Sequence, residues 1–381
     1  MRICMYTETA LPKMGGQEMV VDALARQYQR QGHDVVVLAP HPRLPLRAND
    51  ATLPYPVVRH PRFYSTRYFV AWYRWWLLRL KRTRPFDILH CHGLYPSGYL
   101  AALAKERLGV PIVLTSHGGD VHRPNVRLAK PVLRERHVRA LAGADAVIAI
   151  SRFTEDGFHW LCPEQRNIVT IPNGVDLSYF TPRLPMPDTL GQSVRAGEYF
   201  LFLGRLKNRK GVDLLLEAAA SLNRTASRPV VVLGAGEERE ALEAQSRRLG
   251  LEGRVFFLGL CTHPAKTAWL QNAFCTVVPS RTWESFGLVV LESYAAGVPV
   301  IATDLLGLSD LIRPEETGLI VPPESAPDLA AAMAKMCADP ERTRRMGERA
   351  HALAKEFSWE NIAGRHLELF EQMRGSRRLA A

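Results

Sequence analysis

The 381-residue sequence predicts an α/β protein built as two doubly wound parallel-sheet domains in succession. Three observations carry this expectation. Short apolar runs alternate with longer segments of helical period along most of the chain. The alternation breaks once, at residues 181–197 (TPRLPMPDTLGQSVRAG), and then restarts. The length also suits two domains of the usual 100–200 residues.

In the first half, Ile3–Tyr6, Asp34–Leu38, Asp87–His90, Ile112–Thr115, Ala146–Ile150 and Ile168–Ile171 read as buried strands. Val21–Arg30, Gly98–Leu108, Arg127–Leu141 and Arg152–Trp160 read as helices between them. Three prolines between 182 and 187 stop regular structure, so 181–197 is expected to link residues 1–180 to residues 198–356. The second half has expected strands at Tyr199–Leu203, Pro229–Leu233, Arg254–Leu258, Cys275–Val278, Val298–Ile301 and Gly318–Val321. Its expected helices are Val212–Asn223, Glu237–Leu249, Pro264–Asn272, Gly287–Ala296, Ala326–Cys337 and Pro340–Glu356. A last helix, about Trp359–Met373 within residues 357–381, can pack on its own domain or back on the first.

Apolar residues at 47% and charged residues at 23% exclude a mostly disordered chain. No uncharged apolar run reaches the roughly 18 residues of a membrane span. The N-terminus reaches Thr7-Glu8-Thr9 too early for a signal peptide. The six cysteines form no Cys-x-x-Cys pair. Reduced thiols and a cytoplasmic protein are the expectation. Of the net charge of +11, residues 1–190 carry +10, with 25 Lys/Arg against 15 Asp/Glu. That asymmetry points to an anionic partner for the first half.

In open parallel sheets, ligands sit beyond the carboxyl ends of the strands. After the strand at 199–203 comes Gly204-Arg205-Leu206-Lys207-Asn208-Arg209-Lys210-Gly211, a basic loop opening a helix. It reads either as a phosphate site, with amides, helix dipole, Arg205 and Lys210 aimed at the anion, or as a solvated basic turn. Gly234-Ala235-Gly236 lacks the third glycine of a dinucleotide fingerprint, with Arg239 in its place, and reads as a tight turn. The strongest local signal runs from Pro279 to Glu292, PSRTWESFGLVVLE. Glu292 falls on an apolar helix, where a carboxylate is costly unless hydrogen-bonded. Glu284 and Glu292 read either as a cap and a solvated side chain, or as two carboxylates gripping ligand hydroxyls. In the second reading the amides of Phe286, Gly287, Leu288 and Val289 hold phosphate.

These residues resemble glycosyltransferase family 4, retaining enzymes with the GT-B fold of two Rossmann-like domains facing across a cleft. Glu284-x7-Glu292 with Phe286-Gly287 matches the family's E-x7-E motif, and Gly204-Arg205 with Lys210-Gly211 its donor-phosphate motif. Ala296–Ala302, Gly15-Gly16, Ser116-His117-Gly118-Gly119-Asp120 and Ile171–Asp176 match as well. The resemblance covers about residues 1–373.

The resemblance implies an acceptor-binding first domain and a second domain that binds the nucleotide-sugar. Arg205 and Lys210 neutralise the diphosphate, Glu284 contacts the donor sugar, and Glu292 the ribose. Leu260 lies against the base, His117 faces the donor sugar, and Gly15-Gly16 brings amides to the reaction centre. Asp120 is an acceptor-side candidate, and His92 reads either as an acceptor-side residue or equally as a satisfied core histidine. The family's Gly-Gly…Glu after the 298–301 strand is Leu306-Gly307-Leu308-Ser309-Asp310 here, leaving Asp310 as a substitute.

No Asp-x-Asp occurs in the chain, so cations and helix N-termini are expected to neutralise the leaving group. No cofactor or metal is expected. A metal on His90, Cys91 and His92 is disfavoured because adjacent strand side chains alternate faces. The alternatives are a sugar-nucleotide epimerase of the same fold or a non-catalytic nucleotide-sugar-binding protein. Expected partners are a UDP- or GDP-linked hexose and a glycan or lipid-linked acceptor of the cell envelope.

Residues 59–84 hold eight Arg/Lys, eight aromatics and no acid, including Trp72, Trp75 and Trp76. Three readings stand: an interfacial helix on an anionic membrane, a core helix with solvated arginines, or a single-strand nucleic-acid surface. The donor motifs argue against nucleic acid. On the membrane reading the protein is peripheral on the inner face of the cell membrane.

Overall fold

The computed structural model describes all residues except 14, 44–48, 63–67, 124, 223–227 and 381, and all their side chains except 192 and 376–380. Asn223 and residues 63–67 of the basic segment therefore lie outside the described residues. Two compact units form, Met1–Asn173 with Trp359–Ala381, and Gly174–Ser358.

The first unit's strands are β1 (Arg2–Thr7), β2 (Asp34–Pro40), β3 (Val57–His60), β4 (Ile88–His92), β5 (Ile112–Thr115), β6 (Ala146–Ala149) and β7 (Ile168–Thr170). They pair in the order β3-β2-β1-β4-β5-β6-β7, all parallel. Continuous apolar runs suit a sheet covered on both faces: Ile3, Cys4, Met5, Leu89 and Val113 have no exposed surface. Its helices are α1 (Gly16–Arg30), α2 (Phe69–Thr83), α3 (Tyr99–Leu108), α4 (Pro131–Gly143) and α5 (Arg152–Leu161). Strand β3 was not expected. It is a four-residue edge strand, mostly half-buried, so its sequence lacks the apolar run of an inner strand. Helix α4 starts at Pro131 and not at Arg127, because a proline suits the first helical position and holds Lys130 extended before it.

The second unit holds β8 (Phe200–Leu203), β9 (Val230–Leu233), β10 (Val255–Gly259), β11 (Cys275–Val278), β12 (Val300–Thr303) and β13 (Gly318–Val321). The order is β10-β9-β8-β11-β12-β13, again parallel. Its helices are α6 (Val212–Ser221), α7 (Arg239–Arg248), α8 (Ala265–Gln271), α9 (Leu288–Ala295), α10 (Ala326–Ala338) and α11 (Pro340–Ala354). The start of the stretch expected as a linker is packed within this unit. Arg183 donates to Gln271 O at 3.0 Å, and Leu184 N–H to Gln271 Oε1 at 2.7 Å. Asn272 donates to Leu184 O at 3.1 Å. Two amide side chains thus satisfy backbone that the prolines keep out of regular structure.

Helix α12 (Trp359–Ala380) returns to the first unit and lies on α1. Its Ile362, Ala363, Leu367 and Phe370 join Val20, Leu24 and Tyr28 in one core. His366 is buried there with Nδ1 2.7 Å from the Tyr28 hydroxyl. Burial, aided by the Arg365 charge, lowers its pKa from 6.5 to about 3. The folded ring stays neutral where the unfolded ring takes up a proton, so stability is present above 6.5 and is lost as pH falls. Denaturant titration at pH 8 and pH 6 should find the wild type losing roughly 1 kcal/mol from this ring. The His366→Phe variant should lose less over the same interval. An equal loss in both would show that His366 does not contribute.

Candidate active site

The strand order of the second sheet reverses between β8 and β11, so ligand chemistry is expected beyond their carboxyl ends. There the loop after β8 meets the loop after β11. Gly211 has φ +66°, and a Cβ on it would lie 1.9 Å from Pro279 O. Only glycine allows that approach. Arg281 N–H then donates to Arg209 O at 2.9 Å, locking the two loops together.

This lock brings Glu284 against Lys210. Glu284 is 8% exposed, and its Oε1 takes three donors. They are Ser280 Oγ at 2.7 Å, Arg209 Nη1 at 3.4 Å and the closely paired Lys210 Nζ. Glu284 Oε2 has no protein hydrogen bond among the described residues. Ser280 is fixed in turn by Thr303, whose hydroxyl donates to Ser280 O at 2.7 Å. Arg209 also donates to Trp283 O at 3.1 Å and lies 4.7 Å from the Trp283 ring centroid. Burial lowers the Lys210 pKa, and the Glu284 carboxylate opposes that shift. Arg205 is exposed and forms no ion pair among the described residues.

Glu292 does not stand alone on its apolar helix. Lys266 of α8 pairs with it at 2.7 Å, both side chains about a quarter exposed. Phe286 is buried beneath the loop, and Leu288 and Val289 are half-buried in the first turn of α9. Leu260 is 78% exposed just beyond β10, and Asp310 is half-buried in the loop after β12. Gly204 N–H donates to Leu233 O at 3.0 Å. The turn at Gly234 passes so close that a Cβ there would lie 1.8 Å from Gly204 O, as a tight turn requires.

In the first unit the reversal falls between β1 and β4. Gly15 and Gly16 open α1 there. His92 ends β4, and its Nδ1 is 3.2 Å from Nε2 of His117, with the rings nearly parallel at 12°. His92 is fully buried, so the side chain expected on the acceptor side is not itself at the surface. Asp120 accepts the Leu94 N–H at 2.6 Å and closely pairs with Ser116 Oγ. His90 faces the same way as His92, their ring centroids 4.1 Å apart, while the Cys91 thiol turns to Ser97 O. Among the described residues no three His, Cys, Asp or Glu side chains form a metal-ligating group.

Sequence reasoning passed over Arg209, Ser280, Trp283 and Lys266. Arg209 lay in plain view within the basic loop. Trp283 and Lys266 declare themselves only through contacts 74 and 26 residues apart in the chain, and Ser280 only through the fold of the loop that turns it onto Glu284.

Residues 192–353 match the family model described as Glycosyl transferases group 1, and residues 14–179 match Glycosyltransferase Family 4. The D-inositol 3-phosphate glycosyltransferase of Thermomonospora curvata is 32% identical over 318 residues, 75% of this chain and 71% of that one. The phosphatidyl-myo-inositol mannosyltransferase of Mycolicibacterium smegmatis is 28% identical over 99% of this chain and 95% of that one. Among solved structures, Anabaena HepE in complex with UDP superposes with a TM-score of 0.82 at 20% identity, covering 98% of this chain and all of that one. The sucrose-phosphate synthase of Thermosynechococcus elongatus gives 0.78 at 24% identity, covering 98% and 99%. Both halves of the chain match, each carries its charged residues beyond the same strand ends, and the fold is that of GT-B enzymes: the protein belongs to glycosyltransferase family 4.

Proposed function

We propose that the protein is a retaining, metal-independent hexosyltransferase. It moves a hexose from a UDP- or GDP-linked donor to a sugar hydroxyl of a lipid-linked or glycan acceptor. The observation that carries this reading is the Glu284 carboxylate, pinned by one oxygen to Lys210, Arg209 and Ser280 and open at the other. The pinned oxygen fixes the group, and Oε2 is left to accept from a donor-sugar hydroxyl. One donor of the Lys210 ammonium goes to Glu284, and its two others suit phosphate oxygens. Arg205 adds a second cation free of competing carboxylates, and the amides at the start of α9 add dipoles. Glu292, steadied by Lys266, takes the ribose hydroxyls.

With these cations the leaving diphosphate needs no divalent ion. The C1–O bond to phosphate breaks as the acceptor oxygen bonds C1 on the same face, and the acceptor proton passes to the leaving phosphate. A UDP-bound structural neighbour and inositol-linked relatives support a nucleotide-sugar donor and a polar, anionic acceptor. The +10 balance of residues 1–190 supports the same acceptor class. No described helix is long and apolar enough to cross a membrane. We place the enzyme at the cytoplasmic membrane surface, held there by α2.

Nucleoside diphosphate release is the direct test. UDP-glucose, UDP-GlcNAc and GDP-mannose are offered with glycan and glycolipid acceptors, and product stereochemistry is read by NMR. Turnover with retained configuration, unchanged in excess EDTA, is expected. Loss in EDTA with recovery on adding Mg²⁺ or Mn²⁺ would refute metal independence, and an inverted product would refute retention.

A further inference from the structure

We propose that His92 is a positioning residue that donates its Nδ1–H to Nε2 of His117. It thereby fixes His117 as the Nδ1–H tautomer, a neutral N–H donor for an oxygen of the bound sugar. The inference rests on the reading that His117 belongs to the sugar site.

The two nitrogens are 3.2 Å apart, so one ring donates and the other accepts. Strand pairing sets the distance: His92 lies opposite Thr115, two residues before His117. His90 packs against His92 with its ring tilted by 43°, and the His90 Nε2 is 2.8 Å from the Thr115 hydroxyl, so the ring beside His92 is itself fixed. Burial keeps both partners neutral. It lowers His92 far below 6.5 and His117 to about 4 against the opposing pull of Asp120 and Glu18. Each ring therefore carries one N–H.

The direction of the bond follows from the far side of His92. Its Nε2 is buried with no partner among the described residues. A proton there would make an orphaned buried N–H, the rarer and costlier defect. A proton on Nδ1 leaves only a bare lone pair at Nε2. His92 then donates, His117 accepts at Nε2, and the His117 proton sits on Nδ1. His117 is half-buried, and Nδ1 makes no hydrogen bond among the described residues. That nitrogen is the one available to a ligand, and it arrives there already protonated. A neutral imidazole held in this way offers an N–H to a sugar oxygen and carries no positive charge to draw a phosphate.

The test is long-range ¹H–¹⁵N NMR on the full chain labelled at histidine, at pH 7 and without substrate. The expected spectrum shows His117 protonated on Nδ1 and His92 on Nδ1. A His117 proton on Nε2 overturns the proposal, whatever the enzyme transfers. Kinetics supply the second reading. His92→Phe keeps the buried ring but removes the donor, and should lower kcat by about tenfold or more with donor KM nearly unchanged. His92→Asn places an amide N–H near the Nδ1 position and should restore most of that loss. Equal losses in Phe and Asn variants of wild-type melting temperature also overturn it. If the variants fail to fold, the wild-type spectrum still decides.

Discussion

Lys210→Ala is expected to lower kcat/KM by roughly 30-fold to 1,000-fold, about 2–4 kcal/mol, the scale on which one preorganised donor acts. The Lys210 side chain is only 18% exposed and its ammonium already lies against Glu284, so no reorganisation is required when a diphosphate arrives. Its removal has a second consequence. Glu284 keeps Ser280 at 2.7 Å and Arg209 at 3.4 Å, but loses its closest cation while remaining buried. A fall in melting temperature is therefore expected alongside the loss of rate. Arg205→Ala separates the two effects. Arg205 is exposed and unpaired among the described residues, so its replacement should slow transfer and leave melting unchanged. Near wild-type kcat/KM in the Lys210 variant would remove the diphosphate clamp from the site.

The contrast between Lys210 and Arg209 shows how far the sequence could be read. Glycine before a helix after a strand is a local signal, and it put Lys210 at a strand's carboxyl end without any knowledge of tertiary contacts. Which neighbouring cation takes the carboxylate depends on the turn at Gly211 and on the side each residue faces. Arg209, one position earlier, stacks on Trp283 and shares Glu284. Glu292 was legible as an anomaly, a carboxylate in an apolar helix, but its partner Lys266 comes from another helix 26 residues away. The inner strands were legible because burial on both faces writes continuous apolar runs. Edge strand β3 was not, since a half-buried edge needs none. The site of α12 was open for a related reason. Its apolar stripe states that it packs, and only Tyr28 and His90 against His366 state where.

One face of the basic aromatic segment is core, as one of its three readings expected, and that face yields the second large effect. Tyr73, Leu77 and Leu80 of α2 are buried with Leu89, Cys91 and Leu100, so one face of the helix is core. Leu77→Ala is expected to destabilise by about 2–5 kcal/mol, the range for deleting a fully buried leucine side chain. The opposite face is different. Trp75 is 50% exposed, stacked 6.1 Å from Trp72 and edge-on to Trp76 at 5.3 Å, with Arg79 lying 5.4 Å from its ring centroid. Arg79, Arg82 and Arg84 are exposed nearby. Such a face suits the headgroup level of an anionic membrane, where each cation near the surface adds about 1 kcal/mol. Trp75→Ala should therefore change stability by no more than about 0.5 kcal/mol, as surface substitutions do. It should weaken cosedimentation with anionic liposomes, while neutral liposomes bind neither protein. Wild-type binding should fade between 0.1 M and 1 M salt, as the screening length falls from about 10 Å to about 3 Å. If Trp75→Ala unfolds the unit, the ring belongs to the core. If anionic and neutral liposomes are bound alike, charge does not hold the protein to the surface, and the cations of the first half must be serving a soluble anionic acceptor.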